Sequence, residues 1–235
     1  MVDLDDCQRS LEITFDDESL LLQALVHSSY LNEDQDFALP SNERLEFLGD
    51  AVLGLVVTER LYDEFPGMDE GGLTTLRASL VCRETLAGIA SSLNLGEWFL
   101  MGQGEEAAGG RNKPGNLANG MEALLGAIYL DRGLGQVREF IFKQLEPLLE
   151  QLKSGETSPN YKALLQEFTQ KERRTVPLYR VAGVSGPEHD KRFTVEVLID
   201  GEVIGVGSGR SKKAAEMEAS QSAWGNWVKM RCNHG

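Results

Sequence analysis

The chain has 235 residues, of which 41% are hydrophobic and 26% are charged, a composition typical of a folded globular protein. This length favours one domain of roughly 150 residues and a smaller second one. No window approaches the ~18 uninterrupted apolar residues of a membrane helix, and the acidic N-terminus is unlike a signal peptide. The three cysteines show no CxxC pairing or histidine cluster that would indicate zinc. We therefore expect a cytoplasmic protein without a membrane segment.

The net charge of −14 is distributed unevenly along the chain. From Gln151 onward there are 13 Lys and Arg against 10 Asp and Glu, whereas the preceding part has 10 against 27. Binding to nucleic-acid phosphates requires Lys and Arg, and a strongly acidic part suits the binding of cations. The asymmetry predicts a metal-binding catalytic part followed by a part that binds nucleic acid.

Apolar residues recur at helical spacing in the first part of the chain and predict an all-α domain over residues 1–152. The predicted helices lie at about 20–25, 45–65, 72–93, 117–131 and 134–152. The glycine-rich segment 102–110 does not fit the nucleotide-binding pattern GxxxxGK(S/T). We expect a mobile loop there, and no organic cofactor.

A short segment without apolar residues, 153–158, predicts a linker. After it, the hydrophobic period changes from helical to alternating, which is typical of strands. The predicted elements are a helix at about 160–171, strands near 179–181, 193–199 and 202–209, a turn at Asp200-Gly201, and a helix capped by Ser211 and ending near Met230. This order, α-β-β-β-α, predicts a small α+β domain over residues 159–230.

Two carboxylates, Glu46 and Asp50, are four residues apart, so on a helix they lie on one face about one turn (~5.4 Å) apart. A solvated pair of surface acids is the commoner interpretation of this spacing. Here, however, the pair lies among apolar residues, where like charges are costly without a cation. A second apolar helix carries Asn119 and Glu122, spaced i,i+3. Four oxygen ligands on two helices predict a site for a hard cation such as Mg²⁺.

The segments around these residues resemble one known family. NERLEFLGDAVL at 42–53 resembles the signature of ribonuclease III. Its flanks match as well, with LVHSSY at 25–30, DEGGLTTLRASLV at 69–81 and LANGMEALLGAIYLD at 117–131. The resemblance implies an all-helical endonuclease that acts as a homodimer. It also implies that Mg²⁺, or Mn²⁺ in its place, is surrounded by Glu46, Asp50, Asn119 and Glu122.

Further site assignments follow from this resemblance. The signature aromatic, here Phe47, would insert into the partner subunit; the alternative is a core phenylalanine of its own subunit. Glu43 and Glu70 match acidic positions near the RNA-binding valley, although each is equally compatible with a helix-surface charge.

Asn119 departs from the family pattern, since most bacterial members have aspartate there. Its amide oxygen can bind a metal but carries no charge, so Asn119 is either a tolerated variant with lower metal affinity or a disabling one.

Residues 159–230 resemble the double-stranded RNA-binding domain. The matching segments are YKALLQEFTQ at 161–170, GPEH at 186–189 and GSGRSKKAAE at 207–216. Lys212 and Lys213 lie at the start of a helix, where positive charge opposes the helix dipole unless an anion is bound; two solvated lysines are the alternative. The resemblance implies minor-groove contacts that read the shape of a duplex, made by Gln166, Glu167, Gln170 and His189.

The resemblance, together with the predicted cation site, therefore implies an Mg²⁺-dependent endoribonuclease with Asp50 and Glu122 as catalytic residues. By resemblance, it cuts double-stranded RNA into products with 5′-phosphate, 3′-hydroxyl and staggered ends, and its substrates are ribosomal RNA precursors and some messenger RNAs. A non-catalytic RNA-binding protein of the same fold is an alternative that only Asn119 supports. An all-α metal phosphohydrolase acting on small phosphate esters is disfavoured by the missing His-Asp pair and by the RNA-binding segment. One or two cations per site are both compatible with the residues.

Overall fold

The computed structural model describes residues 2–154, 161–187 and 191–232, with side chains except at 153, 154, 167, 171, 172 and 227–232. Within these residues the chain forms two compact units. The first unit comprises Met1–Pro66 and Leu80–Thr157, and the second comprises Gly67–Ser79 and Ser158–Gly235. The segment 67–79, which lies early in the sequence, therefore folds with the C-terminal part of the chain.

The regular structure described in the first unit is helical, apart from an isolated parallel bridge between Val26 and Leu100. Its α-helices are α1 (Leu4–Leu11), α2 (Glu18–Ala24), α3 (Ser28–Glu33), α4 (Glu43–Glu64), α6 (Arg83–Ser92), α7 (Gln103–Ala107) and α8 (Pro114–Ser154). Two short 3₁₀ helices, η1 (Leu95–Trp98) and η2 (Gly110–Asn112), flank α7. None of the helices in the described residues is long and apolar enough to cross a membrane.

Most of the predicted helices are confirmed, and the differences have local causes. The single helix predicted at 72–93 is wrong, because Cys82 has an extended backbone (φ −70°, ψ 158°) that separates two helices. The predicted break between 131 and 134 is confirmed inside α8, where Gly133 takes φ 76° and ψ −178°, a conformation that favours glycine. The glycine-rich segment 102–110, predicted to be a loop, contains α7 and the start of η2.

The core of the first unit lies where α4 packs against α8. Buried residues on the facing sides are Leu45, Val52, Leu53, Val56, Leu124, Leu125 and Ile128. Two glycines bring the helix backbones together: a Cβ added to Gly49 would lie 1.7 Å from the carbonyl oxygen of Glu122, and one added to Gly126 would lie 2.3 Å from the carbonyl oxygen of Leu45. Real Cβ atoms do not come this close, so any larger residue at either position must push the helices apart.

The second unit contains α5 (Glu70–Val81) up to Ser79, α9 (Tyr161–Arg173), the strands β1 (Leu178–Ser185), β2 (Arg192–Ile199) and β3 (Glu202–Gly209), and α10 (Lys212–Cys232). The strands form one antiparallel sheet in the order β1-β2-β3. Asp200 (φ 53°) and Gly201 (φ 84°) make the tight turn between β2 and β3, as the sequence predicts. The α-β-β-β-α order of the C-terminal part is confirmed.

One face of the sheet packs against α10 through a row of small residues. A Cβ added to Gly207 would lie 2.1 Å from the backbone nitrogen of Ala219, and Gly205 meets the backbone of Ala223 in the same way. This close packing explains why β3 carries glycine at 205 and 207. At the far end of α10, the buried Trp224 donates from Nε1 to the Thr75 hydroxyl of α5 at 2.8 Å, which ties α5 into this unit.

The close crossing of α4 and α8 should make the protein's stability sensitive to residue size at Gly49. Gly49→Ala should lower the free energy of unfolding by about 2 to 3 kcal/mol, because the added methyl group overpacks the helix contact. Gly88→Ala in α6 is the matched control, since its Cβ would meet nothing within 4 Å, and it should be neutral or stabilising by up to about 1 kcal/mol. Urea denaturation of both variants measures the difference. Equal stability of the two variants would contradict the close crossing.

Candidate metal centre and nucleic-acid interface

The predicted carboxylates of α4 flank the helix crossing. Glu46 precedes Gly49 by three residues and Asp50 follows it directly. Because the Gly49 backbone lies against the carbonyl of Glu122, the turn of α4 that carries both acids adjoins the turn of α8 that carries Glu122. The spacing within each helix predicted which residues lie on one face. This spacing did not predict that the two helices meet at this point, which is what brings the α4 acids close to Glu122.

Three acidic side chains, Glu43, Glu46 and Asp50, lie close together on this part of α4. The Glu46 side chain is half-buried, and its burial, together with the charges of Glu43 and Asp50, raises the pKa of its carboxyl. Asp50 is exposed. In the described part of the chain, no salt bridge pairs Glu46 or Asp50 with a basic side chain. The local field is therefore negative, which opposes ionisation of Glu46 and attracts cations.

On α8, Asn119 is exposed and Glu122 is half-buried. The structure brings the backbones of the two acidic turns into contact, but it does not close the side chains into a tight cluster. Among the described residues, no three His, Cys, Asp or Glu side chains converge closely enough to hold a metal ion. The donor types nevertheless fit a hard divalent cation, since Mg²⁺ takes carboxylate and amide oxygens from one or two protein groups and keeps several waters.

The start of α4 is anchored by Asn42, the first residue of the signature segment. Asn42 is buried, its backbone nitrogen donates to the Val26 carbonyl at 2.9 Å, and its Nδ2 donates to the Ala24 carbonyl at 3.3 Å. Glu43 follows it, is exposed, and accepts a hydrogen bond from the Ser41 hydroxyl at 3.0 Å. The helix that carries Glu46 and Asp50 therefore begins at a fixed position against the end of α2.

In the second unit, the start of α10 presents positive charge to solvent. The Ser211 hydroxyl accepts from the backbone nitrogen of Ala214 at 3.1 Å, which confirms the predicted cap. Lys212 and Lys213 are exposed. Glu216 lies one turn further along, but it pairs with Lys162 of α9 at 2.6 Å. No salt bridge neutralises Lys212 or Lys213 in the residues that the structure covers, so both ammonium groups remain open to an anion.

The other predicted RNA-binding residues are only partly described. Gln166 and Gln170 are exposed one turn apart on α9, so they share a face of this helix. Glu70 is exposed at the first position of α5. The side chain of Glu167 and the whole of His189 lie outside the described residues.

Comparisons with known proteins agree with both halves of this arrangement. A model of the ribonuclease-III-like family matches residues 17–149, more than half of the chain, and a model of the double-stranded RNA binding motif matches residues 161–226. The chain belongs to the ribonuclease III family. Its mostly helical nuclease part is followed by a double-stranded RNA-binding region, and the protein is an endoribonuclease.

Relatives of this ribonuclease III family member cover nearly the whole chain. Ribonuclease 3 of Dehalococcoides mccartyi is 46% identical over 223 residues, which are 95% of this chain and 94% of that protein. Ribonuclease 3 of Desulforamulus reducens is 48% identical over 206 residues, covering 88% and 84% of the two chains. The solved nuclease domain of ribonuclease III from Campylobacter jejuni is 42% identical, covers 62% of this chain and 97% of that domain, and superimposes with a TM-score of 0.57.

The signature aromatic of this ribonuclease III does not belong to its own core. Phe47 is 81% exposed, which excludes the core alternative. On the same helix Leu55 is 57% and Tyr62 is 72% exposed. Ala51, between Phe47 and Leu55, and Thr58, between Leu55 and Tyr62, are exposed as well. The spacing of these five residues places them on one side of α4. They form an apolar stripe, and such exposed patches mark interaction surfaces.

Sequence reasoning missed two sets of long-range contacts, one in each unit. One is a network centred on Arg111, which precedes α8 and binds three backbone carbonyls. The other is the hydrogen bond from Trp224 to Thr75. In the sequence, nothing marks Arg111 beyond its position directly after the glycine-rich segment 102–110. The carbonyls that Arg111 binds are 12 to 15 residues away, and Trp224 and Thr75 are 149 residues apart.

Proposed function

We propose that this ribonuclease III cleaves double-stranded RNA in an Mg²⁺-dependent reaction, with Mn²⁺ as a substitute. The observation that carries the proposal is the contact at Gly49, which sets the acidic turn of α4 against the turn of α8 that bears Glu122. The family match supports hydrolysis of a phosphodiester, and the exposed lysines of α10 support duplex RNA as the substrate. In this proposal the nuclease domain spans residues 1–152, a linker spans 153–158 and the RNA-binding domain spans 159–230; the family matches to 17–149 and 161–226 support two domains in this order.

In this proposal the metal ligands are Glu46, Asp50, Asn119 and Glu122. Three carboxylates supply the negative charge, and the Asn119 amide oxygen completes the set with a neutral donor. The bound cation supplies an activated water and offsets charge on the phosphate. Asp50 and Glu122 are the catalytic residues, because they hold the reacting groups in place from opposite helices. Mg²⁺ affinity is lower than it would be with a fourth carboxylate.

The products in this proposal carry 5′-phosphate and 3′-hydroxyl ends. Each subunit of a homodimer cuts one strand, which leaves staggered termini, and the RNAs processed are ribosomal precursors and some messengers. The exposed stripe around Phe47 supports the dimer, since a monomer would leave this apolar surface in water. The description of the Campylobacter jejuni nuclease domain, which refers to a region involved in dimer formation, agrees with it.

Binding of the duplex is proposed to rest on its phosphates and its shape. Lys212 and Lys213 hold phosphates together with the free backbone N–H groups at the start of α10. Gln166, Glu167, Gln170 and His189 reach the minor groove, where 2′-hydroxyls and base edges are accessible. Glu43 and Glu70 border the path of the RNA. This mode binds many duplex sequences with similar affinity.

Asn119→Asp tests the metal ligands. The wild-type protein should cut a long RNA duplex with Mg²⁺ and leave it intact with a chelator. The substitution adds a carboxylate, so it should lower the Mg²⁺ concentration for half-maximal rate several-fold, roughly the effect of one unit charge near the cation. Asn112→Asp is the matched control, because it adds the same charge at an exposed position in η2, and it should change nothing. An unaltered Mg²⁺ dependence in Asn119→Asp would remove Asn119 from the ligand set.

Replacing both Lys212 and Lys213 by Ala tests the phosphate contacts. Duplex binding should weaken uniformly across sequences, and the slope of log affinity against log salt should decrease by about 2, since each lost phosphate contact contributes about 1. The control removes two positive charges elsewhere, through Arg9→Ala and Lys143→Ala, and should keep the wild-type slope. Filter binding over a salt series gives both slopes. Parallel lines for wild-type protein and the lysine variant would exclude these contacts.

Phe47→Ala tests the dimer. Removing the exposed ring should raise the dissociation constant at least tenfold, because a buried aromatic at an interface typically contributes more than ~1.4 kcal/mol. Val184→Ala truncates another exposed apolar side chain in the second unit and should leave association unchanged. Sedimentation at several protein concentrations measures both. If Phe47→Ala dimerises as tightly as the wild type, the stripe is not the interface.

A further inference from the structure

Arg111 holds together the segment that leads into α8. Its Nη1 lies 2.9 Å from the carbonyl oxygen of Gly96, 3.0 Å from that of Glu97 and 2.9 Å from that of Phe99, while its Nε donates to Glu106 at 2.7 Å. These carbonyls lie at the C-terminal end of the 3₁₀ helix η1, where carbonyl oxygens carry partial negative charge; the Gly96 carbonyl also accepts from the backbone nitrogen of Phe99 at 3.4 Å. A planar guanidinium can serve several acceptors at once from a fixed position, which a lysine ammonium on a flexible stem does less well.

The segment that Arg111 holds also packs against the predicted metal ligands of α8. The buried Phe99 ring lies directly on Gly120: a Cβ added to Gly120 would lie 2.3 Å from Phe99 Cζ. Gly120 stands between Asn119 and Glu122 in the first turns of α8. Arg111 is therefore linked, through the Phe99 carbonyl and the Phe99 ring, to the turns of α8 that carry Asn119 and Glu122.

A second set of contacts fixes the start of α8 in the same place. Glu105 of α7 accepts from Lys113 Nζ and from Asn116 Nδ2, both at 2.8 Å, and Asn116 also donates to the Gly110 carbonyl at 3.0 Å. These hydrogen bonds lower the pKa of the Glu105 carboxyl. Hydrogen bonds with the glycine-rich segment therefore hold the first turn of α8 in a fixed position.

We infer that Arg111 is a positioning residue for cleavage: through Phe99 and Gly120 it holds the turn of α8 that carries Asn119 and Glu122 against α4, so that their side chains can reach a cation shared with Glu46 and Asp50. The inference rests on the proposed metal-dependent function. Arg111 touches neither the reacting atoms nor the RNA in this account. Its removal loosens the ligands on α8 and leaves those on α4 in place.

The test compares Arg111→Lys with Arg132→Lys. Arg132 is the matched control, since its guanidinium also binds a backbone carbonyl, of Thr14 at 3.2 Å, and a carboxylate, of Asp16 at 3.3 Å. Titration calorimetry with Mn²⁺ should show roughly tenfold weaker binding for Arg111→Lys, the usual scale for loss of a group that orients metal ligands. Arg132→Lys should bind Mn²⁺ as the wild type does. Hydrogen exchange without metal should be faster at residues 117–122 in Arg111→Lys only.

Phe99→Leu provides a second route to the same result, because it removes the ring from Gly120 while leaving Arg111 intact. It should weaken Mn²⁺ binding and raise the Mg²⁺ concentration for half-maximal cleavage, with metal-free duplex binding unchanged. Wild-type Mn²⁺ affinity and unchanged exchange at 117–122 in both variants would overturn the positioning role alone, even if thermal stability fell. Absence of Mn²⁺ binding by the wild-type protein would overturn the proposed function and this inference together.

Discussion

The close crossing of α4 and α8 is the constraint on which the rest of the first unit depends. Gly49 and Gly126 let the two backbones approach until carbonyl oxygens nearly touch the opposite helix. Helices that carry side chains at their contact are normally 8 to 10 Å apart, a separation that would move the acids of α4 away from those of α8. The apolar residues around the glycines keep this crossing packed, so the position of the charged groups is a consequence of core packing.

Three sides of α4 have different surroundings. The glycine face meets α8, the neighbouring face carries Glu46 and Asp50, and the side beyond it carries the exposed stripe that begins at Phe47. One helix thus connects the core, the acidic site and the apolar stripe. The acids lie next to a close backbone contact, which restricts the motion of their turn relative to that of Glu122. Glu46 is half-buried there, and its burial raises the pKa of its carboxyl.

The sequence predicted features that depend on local pattern. The i,i+4 pair Glu46 and Asp50, the all-α first part, the α-β-β-β-α second part and the Ser211 cap all follow from spacing or from residue type, and the structure confirms their secondary structure. Long-range contacts were not predictable in this way. Nothing local distinguishes the glycines at helix crossings from others, and the break at Cys82 interrupts a run of good helix-forming residues. The support of α8 by Arg111 depends on carbonyls 12 to 15 residues away in sequence.

In the proposed site, a divalent cation is shared by acids from both helices. Anomalous X-ray scattering from crystals of the protein soaked in Mn²⁺ measures this most directly. The account predicts a manganese peak within ligand distance of carboxylate oxygens from α4 and of Glu122 from α8. A peak coordinated by residues of one helix only, or bound elsewhere in a crystal whose protein cleaves duplex RNA with Mn²⁺, would contradict it.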